Sequence, residues 1–438
     1  MKNIDTLINA RWVIPVNDDR VLGQHAIAID KGVIVDLLPS QQAIQSYKAN
    51  KVHHLDSHAL LPGFVNTHTH TPMSLLRGYA DDMPLMSWLN QHIWPAESKF
   101  VNEDFCHDGT LLAVTEMIRG GTTCFSDMYF FPEQSARVAR QTGIRAMIGM
   151  IVLDFPTMWG DGPDHYLEKG LQLFDELKNE TNIRLAFAPH APYTISDGPL
   201  ERIATLSSEL DLPVHMHLHE TYDEIVGSLE QYGERPLQRM DNLGLLSPQM
   251  IAIHMTQLTD DEIDLVSRTG THVVHCPESN LKLASGLCPV DQLTRAGVNV
   301  AIGTDGAASN NDLDMLAEMR TAALLAKGVS GDARALPALE ALRAATLNGA
   351  RALGMDEITG SIEVGKQADV IAIDLSAPST QPCYDPISQI VYAAGRDQVT
   401  DVWVSGKQLL SGQEFTTIDK ALVAKKARDW HARISHGR

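Results

Sequence analysis

His68 and His70, in the stretch PGFVNTHTH, form an H-x-H pair. On extended backbone, side chains two residues apart face the same way, so both imidazoles can reach one ion. Downstream, the run LPVHMHLH offers His215, His217 and His219, and VNVAIGTD ends at Asp305 in an abrupt Thr-Asp-Gly stop. Three neutral imidazoles and a carboxylate make a donor set of intermediate hardness, suited to Zn2+. Alternation puts His215, His217 and His219 on one face, and the sequence alone does not choose among them. His219 lies closest to the following loop and His215 deepest, which makes His217 the first choice; the other two read as packed or hydrogen-bonded core histidines. An isolated H-x-H pair is often incidental and an Asp-Gly is often only a turn. Their weight comes from where they fall in the chain.

They fall at the ends of predicted strands. From Leu60 onward, short apolar runs alternate with helix-length amphipathic segments: LLPGFVNTH, GTTCFSDMY, IRAMIGMIV, IRLAFAPH, LPVHMHLH, MIAIHM, THVVHC and VNVAIGTD. Such alternation predicts β-α units on a parallel sheet, and eight of them predict an α/β fold closed into a (β/α)8 TIM-like barrel. His68 and His70 end the first run, His190 the fourth, His217 and Glu220 the fifth, His254 the sixth, His275 the seventh and Asp305 the eighth. That rim is where barrels of this kind assemble their chemistry. In a closed barrel the eighth strand adjoins the first, which predicts Asp305 beside His68 and His70.

Residues 1–57 carry short apolar runs at Thr6–Pro15, Ala26–Leu38 and Val52–Leu55, separated by turn residues. After Leu353 strand character returns in ADVIAIDL and VTDVWVSGKQLL, and DKALVAKKARDWHARIS repeats apolar residues at helical spacing. Neither end has enough strands to bury a face alone. One small β-sandwich is therefore expected from residues 1–57 and 357–438 together, with a terminal helix, flanking a barrel over 58–356.

The 438 residues are 44% hydrophobic and 21% charged, the mixture of a chain with a large buried core. With 35 basic and 55 acidic residues the net charge is −20, which disfavours nucleic acid and anionic membrane surfaces as partners. Five scattered cysteines without a C-x-x-C pair indicate neither a disulfide framework nor a cysteine metal site, and they suit a reducing compartment. No apolar run approaches the roughly 18 residues of a membrane span. The opening MKNIDTLINARWVIPVNDD carries Asp and Asn where a signal peptide needs apolar residues, so a cytoplasmic location is expected. No G-x-G-x-x-G follows the early strands and no P-C-x-x-C is present, which argues against a dinucleotide fold and a cytidine-deaminase type of zinc site.

PGFVNTHTH, the sequence His217-Leu-His-Glu220-Thr221, HCPESNLKLASG, GTDG, and GSIEVGKQADVIAID together resemble the amidohydrolase superfamily. More narrowly, the chain is similar over nearly its whole length to the methylthioadenosine/S-adenosylhomocysteine deaminases. The resemblance implies that His68, His70, His217 and Asp305 hold a metal, with Glu220 and His254 beside its water. The bimetallic branch of the superfamily carries a bridging carboxylated lysine at the end of strand four. Here that strand reads IRLAFAPHAPYT and has none, which implies one Zn2+ per subunit.

The implied reaction is hydrolytic deamination of an adenine ring. Zinc lowers the pKa of a water toward about 7. Asp305 then takes up its proton, Glu220 protonates the adjacent ring nitrogen, and His254 steadies the attacking oxygen. Both carboxylates would touch the substrate. Glu97, in HIWPAESKF, matches the family's clamp on the ribose hydroxyls, and His190, in PHAPYT, matches a histidine that contacts the nucleoside. Trp88 and Trp94 could wall the pocket or pack in the core. Homo-oligomers, dimers or larger, are also implied.

Members that take S-adenosylhomocysteine are expected to place arginine after strand three, where it holds the amino acid carboxylate. No arginine lies between Arg145 and Arg184; the stretch reads DFPTMWGDGPDHY. Phe155, Met158 and Trp159 suit an apolar methylthio group, and a buried unpaired carboxylate is costly. The expected substrate is therefore 5′-methylthioadenosine, giving 5′-methylthioinosine and ammonia, with weaker or no action on S-adenosylhomocysteine and adenosine as a further candidate. The alternatives are the same site acting on another purine, a pterin or a chlorinated triazine, and a non-catalytic scaffold that the metal merely stabilises.

Overall fold

The structure, a computed structural model, describes residues 1–436. Four strands open the chain: β1 (Lys2–Val13), β2 (Leu22–Asp30), β3 (Val33–Pro39) and β4 (Tyr47–Pro62). The single apolar run expected near Ala26–Leu38 is a hairpin, because Lys31 and Gly32 turn the chain with φ of 52° and 82°. Two successive positive φ values are what a two-residue hairpin turn requires.

Eight parallel strands follow: β5 (Phe64–Thr69), β6 (Thr122–Tyr129), β7 (Arg145–Val152), β8 (Ile183–Pro189), β9 (Val214–Leu218), β10 (Met250–His254), β11 (His272–His275) and β12 (Val300–Ile302). They pair in sequence order, with helices between them. Every residue of β6 and β7 is buried, as expected where a parallel sheet is covered on both faces. Alternate residues divide the core. Val65, Cys124, Met147, Ala186, Ile253 and Val274 fill the barrel interior, while Phe64, Phe125, Ile148 and Phe187 pack outward under the helices.

At the seam between the last strand and the first, Asp305 N–H donates to His68 O at 3.0 Å, Thr67 Oγ1 to Ile302 O at 2.7 Å and Thr304 N–H to Asn66 Oδ1 at 3.0 Å. Gly303 allows this approach, because a Cβ there would stand 2.7 Å from His68 N. The eight-strand reading thus matches the observed TIM-like barrel.

The remaining strands, β13 (Val370–Asp374), β14 (Val399–Val404), β15 (Lys407–Ser411) and β16 (Glu414–Phe415), join β1 to β4 in a second sheet of order β16-β15-β14-β13-β4-β1-β2-β3. Ile8, Ile27 and Leu60 share a buried cluster with Val370, Ala372 and Trp403, so both termini build one core. This is the small sandwich domain. β4 stays paired with β13 as far as Pro62 opposite Val370, and on that register we propose Gly63, rather than residue 57, as the first domain boundary. The terminal helix Lys420–His436 leaves the sheet and lies on barrel helix Glu103–Arg119, where Trp430 Nε1 donates to Asp108 Oδ2 at 3.0 Å.

Candidate metal centre and active site

His68 lies in β5 and His70 follows its end, while His217 points inward from β9 between the outward-facing Met216 and Leu218. His217 Nε2 stands 3.2 Å from both His68 Nε2 and His70 Nε2. Asp305 Oδ1 lies 3.2 Å from His68 Nε2 and 3.3 Å from His70 Nε2. Zinc bonds of about 2.0–2.1 Å in a tetrahedron separate ligand atoms by about 3.3 Å. The four atoms therefore have the spacing of one ion's ligand sphere.

The tautomers agree with that reading. His70 Nδ1 meets Met128 O at 2.6 Å and His217 Nδ1 meets His190 O at 2.7 Å. A carbonyl only accepts, so both Nδ1 atoms carry the proton and both Nε2 lone pairs face the centre. Burial pushes His68 down to about 4 and holds His217 well below its usual value, leaving neutral imidazoles at pH 7. Converging lone pairs repel unless a cation lies between them, and the donor set fits zinc. Among the described residues, His68, His70 and Asp305 form one group able to hold a metal, and His68, His217 and His254 another around the same point.

The other Asp305 oxygen is held in place. Ser279 Oγ donates to Oδ2 at 2.6 Å and Ser309 Oγ at 2.9 Å. Burial pushes the Asp305 carboxyl up, but the His68 contact and the facing imidazoles outweigh it, and the group sits well below the usual carboxylate range.

Glu220 lies in the loop after β9, one residue past His219. Burial raises its pKa, against the lowering effect of His254 and of Ser285 Oγ, which donates to Oε1 at 3.2 Å. His254 Nε2 lies 3.8 Å from Glu220 Oε2, and His254 Nδ1 meets Asn280 Oδ1 at 2.9 Å. The Glu224 carboxylate accepts the backbone N–H groups of His219 and Glu220 at 2.9 and 2.8 Å and so fixes the loop. His219, His254 and Asp305 have φ of 54°, 75° and 63°. Such left-handed backbone in non-glycine residues costs about 1–3 kcal/mol each and gathers at functional sites.

A cavity of about 640 Å3 opens from the centre. His70, His190, His217, Glu220, His254 and Asp305 line its floor. Trp88, Trp94 and Glu97 form one wall, and Phe155 and Met158 stand at another. Glu97 is half-buried and receives the Tyr129 hydroxyl on Oε1 at 2.6 Å. Burial nevertheless pushes its pKa up to about 7.

Two sequence expectations are not met in this geometry. Trp159 does not line the cavity; its ring stacks on Tyr166 at 5.7 Å and its Nε1 donates to Glu133 Oε2 at 3.2 Å, so it packs away from the substrate space. His219 does not share the inward face of His215 and His217. The strand stops at Leu218, the positive φ turns His219 aside, and its Nε2 accepts Leu237 N–H at 3.0 Å. His275 ends β11 buried, without contact with the four converging ligand atoms. Ser279, Asn280, Ser285 and Ser309 were not singled out in the sequence, although HCPESNLKLASG contains three of them.

The pattern that defines the amidohydrolase family matches residues 59–409, most of the chain. The chain belongs to the amidohydrolase family. Within it, this amidohydrolase is 47% identical over 432 residues to a 5-methylthioadenosine/S-adenosylhomocysteine deaminase of Teredinibacter turnerae, covering 98% of each chain, and so belongs with those deaminases. It superposes on a zinc-bound crystal structure named an adenosine deaminase, from Xanthomonas campestris, with a TM-score of 0.98, 53% identity and 99% of each chain covered. An atrazine chlorohydrolase from Arthrobacter aurescens superposes with a TM-score of 0.91 at 22% identity, covering 97% of this chain and 99% of its own, a likeness of fold alone.

Proposed function

We propose that this amidohydrolase is a mononuclear zinc enzyme that deaminates the adenine ring of nucleosides hydrolytically, with 5′-methylthioadenosine as its preferred substrate. The observation that carries the reading is the meeting of His68, His70, His217 and Asp305 at 3.2–3.3 Å on the floor of a cavity that also exposes Glu220. The relatives named as deaminases and the zinc in the Xanthomonas structure support it.

His68, His70, His217 and Asp305 would hold the ion. When bound, zinc supplies Lewis acidity, lowering the pKa of a water from about 15.7 toward about 7. Glu220, whose carboxyl pKa burial raises, donates a proton to the ring nitrogen beside the amino-bearing carbon, making that carbon electrophilic. Asp305 takes up the proton of the attacking water and passes it to the amino group, whose bond to the ring carbon breaks to release ammonia while the remaining hydroxyl proton restores Glu220. Ser279 and Ser309 hold the Asp305 carboxylate in one orientation. His254, tethered to Asn280, hydrogen-bonds the incoming oxygen. Glu97 accepts the ribose hydroxyls, and His190 flanks the nucleoside.

No arginine or lysine is among the residues lining the cavity, which supports the methylthio compound over one ending in an amino acid carboxylate. We also propose a cytoplasmic homo-oligomer. Five unpaired cysteines suit a reducing compartment, and among the described residues no helix is long and apolar enough to cross a membrane.

The decisive experiment follows the loss of adenine absorbance with 5′-methylthioadenosine before and after chelation. Deamination abolished by the chelator and restored by zinc supports the reading; turnover that survives complete metal removal overturns it.

A further inference from the structure

His215 is wholly buried in the barrel, one turn of the strand alternation below His217. Its Nε2 lies 3.0 Å from His68 Nδ1, and its own Nδ1 lies 3.4 Å from Ser126 Oγ. His70 and His217 each direct Nδ1 at a backbone carbonyl, whereas His68 directs it at this imidazole. We propose that His215 is a positioning residue for the metal centre, fixing the tautomer and ring orientation of His68 from across the barrel.

The argument is one of donors and acceptors. His68 can bind an ion through Nε2 only if its proton resides on Nδ1. An acceptor must then meet that buried N–H, and His215 Nε2 is the group within reach. His215 in turn must carry its proton on Nδ1, where Ser126 Oγ receives it. The barrel interior nearby is built of Val65, Cys124, Met147 and Ile253, so no solvent substitutes for a missing partner. An apolar side chain would pack there more simply, which makes the hydrogen bond, rather than volume, the reason for histidine.

The inference rests on the zinc reading, and the test separates the two. Zinc affinity is measured by competition with a chelating dye, and the visible spectrum of the cobalt-substituted protein is recorded, for wild type, His215→Gln, His215→Asn and His215→Leu. Glutamine places an acceptor near the position of Nε2, asparagine is polar but too short, and leucine removes the acceptor. Loss of an outer partner to a ligating histidine weakens metal binding by about 10–100-fold. That loss, with an altered cobalt spectrum, is expected for Leu and Asn, with Gln near wild type. Should the Leu variant fail to fold, the contrast between Gln and Asn decides. Wild-type affinity and spectrum in the Asn variant, or in a folded Leu variant, overturn the role of His215. A wild-type protein that binds no zinc overturns the metal reading itself.

Discussion

Glu220 Oε2 and His254 Nε2 stand 3.8 Å apart on the cavity floor, beside the four atoms that converge from His68, His70, His217 and Asp305. Glu220 is buried with a raised pKa, and Ser285 Oγ donates a hydrogen bond to its carboxyl. This placement supports the proposed role of Glu220 as the acid, apart from the candidate ligand groups.

Replacing Glu220 with Gln keeps size and polarity but removes the transferable proton. Turnover of 5′-methylthioadenosine should fall by about 10²–10⁴-fold, the usual worth of a positioned acid. Zinc content, measured on the same preparation, should stay at the wild-type level. Undiminished turnover would overturn the role of Glu220 as the acid.

Glu97 should impose a pH dependence on substrate binding. Burial pushes it up to about 7, although the Tyr129 hydrogen bond works in the other direction. Its ionised form, the one the proposed clamp on the ribose hydroxyls requires, is present above that value and lost as the pH falls through it. KM should therefore rise below pH 7, approaching about tenfold per unit. Tyr129→Phe removes the lowering contact and should move the midpoint upward, and Glu97→Gln should flatten the profile. A KM in the wild type that ignores pH over this range would argue against the clamp.

The wall at Phe155 and Met158 should decide between methylthio and homocysteine substituents. Met158 is 64% exposed at the cavity edge, so a longer side chain fits there without disturbing the core. kcat/KM for 5′-methylthioadenosine should exceed that for S-adenosylhomocysteine by at least about tenfold, a difference of about 1.4 kcal/mol. Met158→Arg should narrow the gap by pairing the carboxylate. Equal kcat/KM values in the wild type would remove this specificity argument.

The barrel and the small sheet are joined by a buried ion pair. Arg145, at the start of β7, donates through Nε to Asp369 Oδ2 at 2.7 Å, with side chains 2% and 0% exposed. Arg145→Met leaves Asp369 charged and dry and should cost about 3–5 kcal/mol in urea unfolding. Adding Asp369→Leu should recover part of the loss, though not all, because Asp369 also accepts Ser405 N–H at 2.7 Å. A stability unchanged by the single substitution would mean that water reaches this pair.

The eight strands were legible because each is an apolar run bounded by turn residues, and the outcome depends on local pattern and chain length. The carboxylate at Asp305 was legible for a related reason: Gly303 and Gly306 flank it, and closing a barrel brings the eighth strand against the first. Trp159 was misread because an aromatic residue near a pocket looks the same in sequence whether its ring faces the cavity or, as here, Tyr166 and Glu133.

By itself, then, the sequence determined the barrel, the shared small domain and the residue types able to hold zinc, since these follow from periodicity and from the chemistry of the side chains. Only the tertiary structure decided which of the three histidines in LPVHMHLH faces the centre, which one supports His68 and which turns away to Leu237. The physical reason is backbone direction at the strand end. Alternation assigns faces only while the chain stays extended, and at His219 the left-handed turn, held by Glu224 from the next helix, breaks that rule.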